Sequence, residues 1–155
     1  DAVELLRAVE GEQHHAAEQK HVTVTLICAD NLPHLKADKS QVRMVMQNLI
    51  SNAIKYTPEN SNIEVLLKQT KRKVYFELIN YGVNISKEDL LNIWIPFFRV
   101  ENATQRQLSS KGSGIGLYLV SEILKAHNAD YSITNVKNGV KASFSINKTI
   151  SDNKK

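Results

Sequence analysis

The stretch Asn48-Leu49-Ile50-Ser51-Asn52-Ala53-Ile54-Lys55-Tyr56-Thr57-Pro58 decides how this chain is read. Extended back to Asp38, which can act as an N-cap, it predicts a helix over 39–56 that Pro58 stops. Val42, Val45, Met46, Leu49, Ile50 and Ala53 form its apolar face. At about 100° per residue, Asn48, Asn52, Lys55 and Tyr56 fall on the opposite side. Any amphipathic helix turns such a side to water. Asparagine is nevertheless a poor helix former for a mere surface, and an amide oxygen suits Mg²⁺, a hard ion that keeps several waters and usually bridges to phosphates.

Outward from this helix the pattern alternates. Val3, Leu6, Val9, Ala16 and Ala17 predict a helix over 3–19, weakened at Gly11. Val22–Cys28 is β-branched and alternating, a strand closed by Asn31-Leu32-Pro33. Ile63–Gln69 and Val74–Asn80 read as a hairpin around the basic turn Lys71-Arg72-Lys73. Ser86 can cap a short helix running through Trp94 and ended by Pro96. Residues 101–113 are polar without apolar period and read as a long loop. Leu117, Val120, Ile123, Leu124 and His127 then keep helical spacing, and Tyr131–Asn135 with Lys141–Asn147 make a strand pair turned at Asn138-Gly139. The sum is α+β: helices gathered on one face of a mixed or antiparallel sheet.

The 155 residues, 42% hydrophobic and 23% charged, have globular composition and room for one core. No stretch reads as a membrane span or a signal peptide. The net charge of +4 comes from scattered lysines without interleaved aromatics, which argues against nucleic-acid binding. The single cysteine, Cys28, is expected to be a buried, reduced core residue, in keeping with a cytoplasmic setting.

Gly112-Ser113-Gly114-Ile115-Gly116-Leu117 lies between the polar loop and a helix, where glycines let backbone amides approach an anion and the helix dipole favours negative charge. The same glycines could be loop punctuation alone. The string has neither the dinucleotide spacing after a strand nor a Walker-type lysine.

Taken together, these motifs resemble those of bacterial two-component sensor histidine kinases. Asn48–Pro58 is similar to their asparagine box, Trp94-Ile95-Pro96-Phe97-Phe98-Arg99 to their phenylalanine box, and Gly112–Leu117 to their second glycine box, in matching order from about Asp1 to Asn147. The resemblance is to the catalytic and ATP-binding domain of the GHKL superfamily. It implies a two-layer α/β sandwich (the Bergerat, or GHKL, ATP-binding fold) with a mixed sheet and helices on one face, spanning 1–150 before a disordered tail, 151–155. It implies ATP and Mg²⁺ as ligands, Asn52 and Asn48 holding the metal, Lys55 neutralising phosphate charge, Tyr56 lining the pocket, and Arg99 reaching the γ-phosphate. Asn48, Lys55 and Arg99 are the residues it marks as catalytic. Gly112, Gly114 and Gly116 would shape the backbone around the phosphates beneath a lid, 101–111, with Arg106 a further lid residue. Asn80, Gly82, Ile85, Phe97, Lys111, Ser113, Ile115 and Leu117 complete the implied ATP site. The implied partners are a dimeric helical domain before Asp1, which carries the phosphorylated histidine, and a response regulator. Any membrane attachment would come through that preceding part.

Two departures sort the reading further. The family's first glycine box usually runs Asp-x-Gly-x-Gly, its aspartate accepting the adenine amino proton, whereas here Asn80-Tyr81-Gly82-Val83-Asn84-Ile85 stands there. This is similar to a variant of some Gram-positive kinases. An amide oxygen still accepts, without the charge of a carboxylate, and Asn84 is expected to tolerate a positive φ in place of glycine. Gyrase-, MutL- and chaperone-type ATPases of the superfamily usually carry a general-base glutamate four residues before the helix asparagine. Asn48 stands there instead, which favours transfer to a protein nucleophile over rapid hydrolysis. His14 and His15 lack the acid that follows the family's acceptor histidine, so they read as surface residues. His21, His34 and His127 are too scattered for a metal site, and His127 is expected to pack at a helix end.

Overall fold

The computed structural model describes residues 1–100 and 114–148, so the expected lid and tail lie outside the described residues. Helix α1 (Ala2–Gln19) is followed by strand β1 (Thr23–Cys28), helix α2 (Lys39–Tyr56) and strands β2 (Asn62–Gln69) and β3 (Lys73–Tyr81). Then come the short helix α3 (Lys87–Asn92), helix α4 (Gly116–Ala126) and strands β4 (Asp130–Val136) and β5 (Gly139–Asn147). The strands form one sheet in the order β1-β2-β3-β5-β4. It is mixed: β1 runs parallel to β2, and the other pairs are antiparallel. This is the expected α+β class with its helices on one face.

The alternation in the sequence sets the register. Ile63, Val65 and Leu67 of β2 and Val74, Phe76 and Leu78 of β3 are buried, while the residues between them are not. All of these but Val74 meet Leu6 and Val9 of α1, Val45, Met46 and Ile50 of α2, and Val120 and Leu124 of α4 in one core. Phe76 and Phe144 stack at its centre with ring centroids 4.9 Å apart. Each fully buried aliphatic or aromatic side chain contributes about 1.5–3 kcal/mol relative to exposure. Such burial offsets the entropy of ordering the chain.

Two expectations need correction. Cys28 is a free cysteine but only half-buried, because β1 is an edge strand whose inward residues are covered from one side. The short helix stops at Asn92, not Trp94: Ile95 N–H donates to Asn92 O in a turn (3.0 Å), and Phe97 takes a φ of 65°. Ser86 does cap it, accepting from Asp89 N–H (3.0 Å). His127 closes α4 as expected, its Nδ1 2.8 Å from Ile123 O, and its Nε2 accepts from Asp38 N–H (3.3 Å), which joins the end of α4 to the start of α2. No helix among the described residues is long and apolar enough to cross a membrane.

Candidate functional site

Asn48, Asn52, Lys55 and Tyr56 all line one cleft of about 560 Å³. They are half-buried, unlike an ordinary wet helix face. Both ends of α2 are fixed. At its start, Asp38 accepts from Gln41 N–H (3.0 Å) and from Ser40 Oγ (2.7 Å), which holds the carboxyl below the usual carboxylate value. At its end, Lys20 Nζ donates to Ile54 O (2.9 Å) and Lys55 O (2.7 Å), satisfying carbonyls that have no partner within the helix. Burial pushes the Lys20 ammonium below the ordinary lysine value, and Glu59 partly opposes that shift. Buried Thr57 donates from Oγ1 to Tyr81 O (3.1 Å), which ties the end of α2 to the end of β3.

The asparagine-bearing face meets the glycine-rich helix start directly. Asn48 donates its Nδ2 to Met44 O (2.8 Å), which leaves Oδ1 free of its own helix. A Cβ built on Gly116 would lie 2.8 Å from that Oδ1 and 3.9 Å from Asn52 Nδ2. Gly116 therefore lets the start of α4 approach both amides. No side chain caps α4, and Gly116 and Leu117 at its start line the cleft, an arrangement in which free helix N-terminal amides can take an anion. Gly114, with φ +73°, accepts from Phe97 N–H (2.9 Å), and a Cβ there would lie 2.8 Å from Phe97 Cα. That contact joins the phenylalanine-rich segment to the glycine string.

The far end of the cleft is apolar with one amide. Asn80 continues the inward file Val74, Phe76 and Leu78 of β3 and is only 8% exposed. Leu78, Ile133, Val140 and Ala142 surround it on the floor, and Gly82, Val83, Asn84 and Ile85 form the adjoining wall. Gly82 takes φ +81°, but Asn84 is not at positive φ, contrary to expectation.

The structure thus brings Asn48, Asn52, Lys55, Tyr56, Asn80, Gly82, Ile85, Arg99, Gly114, Gly116 and Leu117 into one cleft. It does not bring Phe97 there: that side chain is 71% exposed, and Phe98 lines the cleft in its place. Ile115 occupies the N-cap position of α4 and is likewise exposed, off the cleft. Arg106, Lys111, Gly112 and Ser113 lie outside the described residues. Ile93, Ile133, Val140 and Ala142 were not singled out from the sequence. Their only signal was the inward phase of each element. Among the described residues no group of three or more His, Cys, Asp or Glu could hold a metal ion. The cleft's donors are neutral amide oxygens, which suit a Mg²⁺ that arrives on phosphates more than a resident metal.

A model for the family described as "Histidine kinase-, DNA gyrase B-, and HSP90-like ATPase" matches residues 37–150. The sensor histidine kinase WalK of Bacillus subtilis (strain 168) is 27% identical over 121 residues, 77% of this chain and 20% of that protein. The adaptive-response sensory kinase SasA of Nostoc sp. (strain PCC 7120) is 38% identical over 98 residues, 63% of this chain and 23% of that protein. This chain therefore spans a minor part of these relatives. The catalytic domain of histidine kinase ThkA matches with TM-score 0.83 at 27% identity, over 96% of this chain and 95% of that one. ThkA in complex with the response regulator protein TrrA matches with TM-score 0.78 at 26% identity, over 96% of this chain and 41% of that one. On its fold, its cleft and the family match, the chain belongs to the histidine kinase-, DNA gyrase B- and HSP90-like ATPases, as a catalytic domain of the sensor histidine kinase type.

Proposed function

We propose that the cleft binds Mg·ATP and that the domain donates the γ-phosphoryl group to a histidine on a helical dimerisation domain outside this chain, from which it passes to a response-regulator aspartate. The observation that carries this reading is the meeting of the Asn48 and Asn52 amides with the uncapped start of α4 across Gly116. That arrangement gathers two side-chain amides, Asn48 by its Oδ1, and backbone N–H groups at one point, which suits a metal-bound polyphosphate. Asn80 and the apolar floor suit a planar base at the other end. Mg²⁺ supplies neutralisation of phosphate charge when bound, with Asn52 and Asn48 as its protein ligands. Lys55 and Arg99 add positive charge at the phosphate end. The domain positions and neutralises; the attacking imidazole forms the N–P bond as the bond to the ADP oxygen breaks.

Leu91, Ile95 and Phe97 are 81%, 51% and 71% exposed on the segment leading to Arg99, an apolar rim that suits an approaching helical partner. A cytoplasmic site of action follows from the same reading, with membrane attachment through other segments.

The test is ATP titration with and without Mg²⁺, followed by transfer to a separately produced helical acceptor domain. Wild type should bind ATP more tightly with Mg²⁺, and Asn52→Ala should lose at least about tenfold of that affinity while its melting temperature holds. A wild-type protein that binds no ATP would sink the reading. A variant that binds Mg·ATP normally would remove Asn52 as a ligand.

A further inference from the structure

Gly82–Ile85 belongs to no strand, yet its conformation is held at both ends by the β4–β5 hairpin. Gly82 N–H donates to Asn138 O (2.9 Å). At the other end Asn135 makes a reciprocal pair: Ile85 N–H donates to its Oδ1 (3.0 Å), and its Nδ2 donates to Ile85 O (2.6 Å). A side-chain amide here satisfies both backbone groups of one residue, as a neighbouring strand would. Asn135 stands at the inward phase of β4 opposite Val140, and Val140 in turn stands opposite Asn80 on β3. One row across the sheet therefore carries two asparagines, one facing the cleft floor and one holding the wall.

We propose that Asn135 is a positioning residue for nucleotide-base recognition: it fixes the backbone of Ile85 and so sets the cleft wall beside Asn80. The proposal rests on the nucleotide-binding reading above. It also explains why this loop does without positive φ at Asn84, since an anchored loop need not make a second glycine turn. The pair is specific to asparagine. Alanine removes both bonds, and aspartate keeps an acceptor but has no donor for Ile85 O. Since the phosphate end, at Asn48 and Gly116, is built on α2 and α4, loss of the clamp should act on the base and spare the phosphates.

The experiment compares wild type with Asn135→Ala in binding ATP, ADP and Mg·tripolyphosphate, alongside amide hydrogen exchange at Ile85. We expect ATP and ADP affinity to fall about fivefold, tripolyphosphate affinity to stay within about twofold, and Ile85 N–H exchange to quicken. Unchanged ATP affinity in a variant whose Ile85 amide has lost protection would overturn the proposal. So would equal losses for ATP and tripolyphosphate, since a general structural role gives that result. Wild-type protein that binds no ATP would overturn the functional reading itself, whereas an Ile85 amide unprotected in wild type would remove the clamp whatever binds.

Discussion

Gly116 and Asn48 leave each other no room for a methyl group: a Cβ at residue 116 would sit 2.8 Å from Asn48 Oδ1. Asn48 cannot step aside freely, because its Nδ2 is held by Met44 O (2.8 Å). Gly116→Ala should therefore displace the amide oxygen or push α4 away. Alanine is the better helix former by up to about 1 kcal/mol in a helix interior, which offsets the displacement, so the melting temperature should stay within a few degrees of wild type. Mg·ATP affinity should fall by about tenfold, near 1.4 kcal/mol. Calorimetric titration beside a melting curve checks both at once, and a variant that binds like wild type would show that the contact yields without cost.

Arg99 lines the cleft just before the segment outside the described residues. If it meets the γ-phosphate, ADP gives it nothing to hold. Arg99→Ala should leave ADP affinity within a few-fold and lower phosphoryl transfer to a helical acceptor by at least about tenfold. Equal losses in both would place it in general nucleotide binding.

Acid should act through the start of α2. Hydrogen bonds from Ser40 and Gln41 hold the Asp38 carboxyl below its ordinary value of 3.8. A carboxylate with a lowered folded-state pKa binds fewer protons native than unfolded across that interval, so stability rises with pH there. The contribution is complete above about pH 3.8 and is lost as pH falls through the lowered value. Asp38→Asn keeps an oxygen acceptor but does not titrate. Urea midpoints measured at pH 5 and pH 3 should differ less in the variant, and an unchanged difference would take Asp38 out of the acid response.

The elements built from nearby residues were legible in the sequence. The cap Asp38, the period through Met46, Leu49 and Ile50, and the stop at Pro58 gave α2 its bounds, and the side bearing Asn48 and Asn52 became a cleft wall. What could not be read depended on distant partners or on local backbone sign. Asn135 finds Ile85 across fifty residues of chain. Its one sequence signal was a polar residue on the inward phase set by Tyr131 and Ile133. Phe97 and Phe98 look alike in sequence, yet Phe97, at positive φ, is exposed while Phe98 lines the cleft. Cys28 looks like a core residue until the strand order puts β1 at the edge.

The turn after α1 reaches the cleft through one ammonium group, since Lys20 holds the carbonyls of Ile54 and Lys55. The family model matches from residue 37 onward. Trimming the protein to that match would remove Lys20 and β1 together. The last turn of α2 would lose the one donor shared by two of its carbonyls, and β2 would become a bare edge with unpaired amides, the template from which strands stack between molecules. A shortened protein made for crystallisation or inhibitor screening should therefore start at α1. Otherwise poor solubility and weak ligand binding would arise from the cut and be blamed on the asparagines.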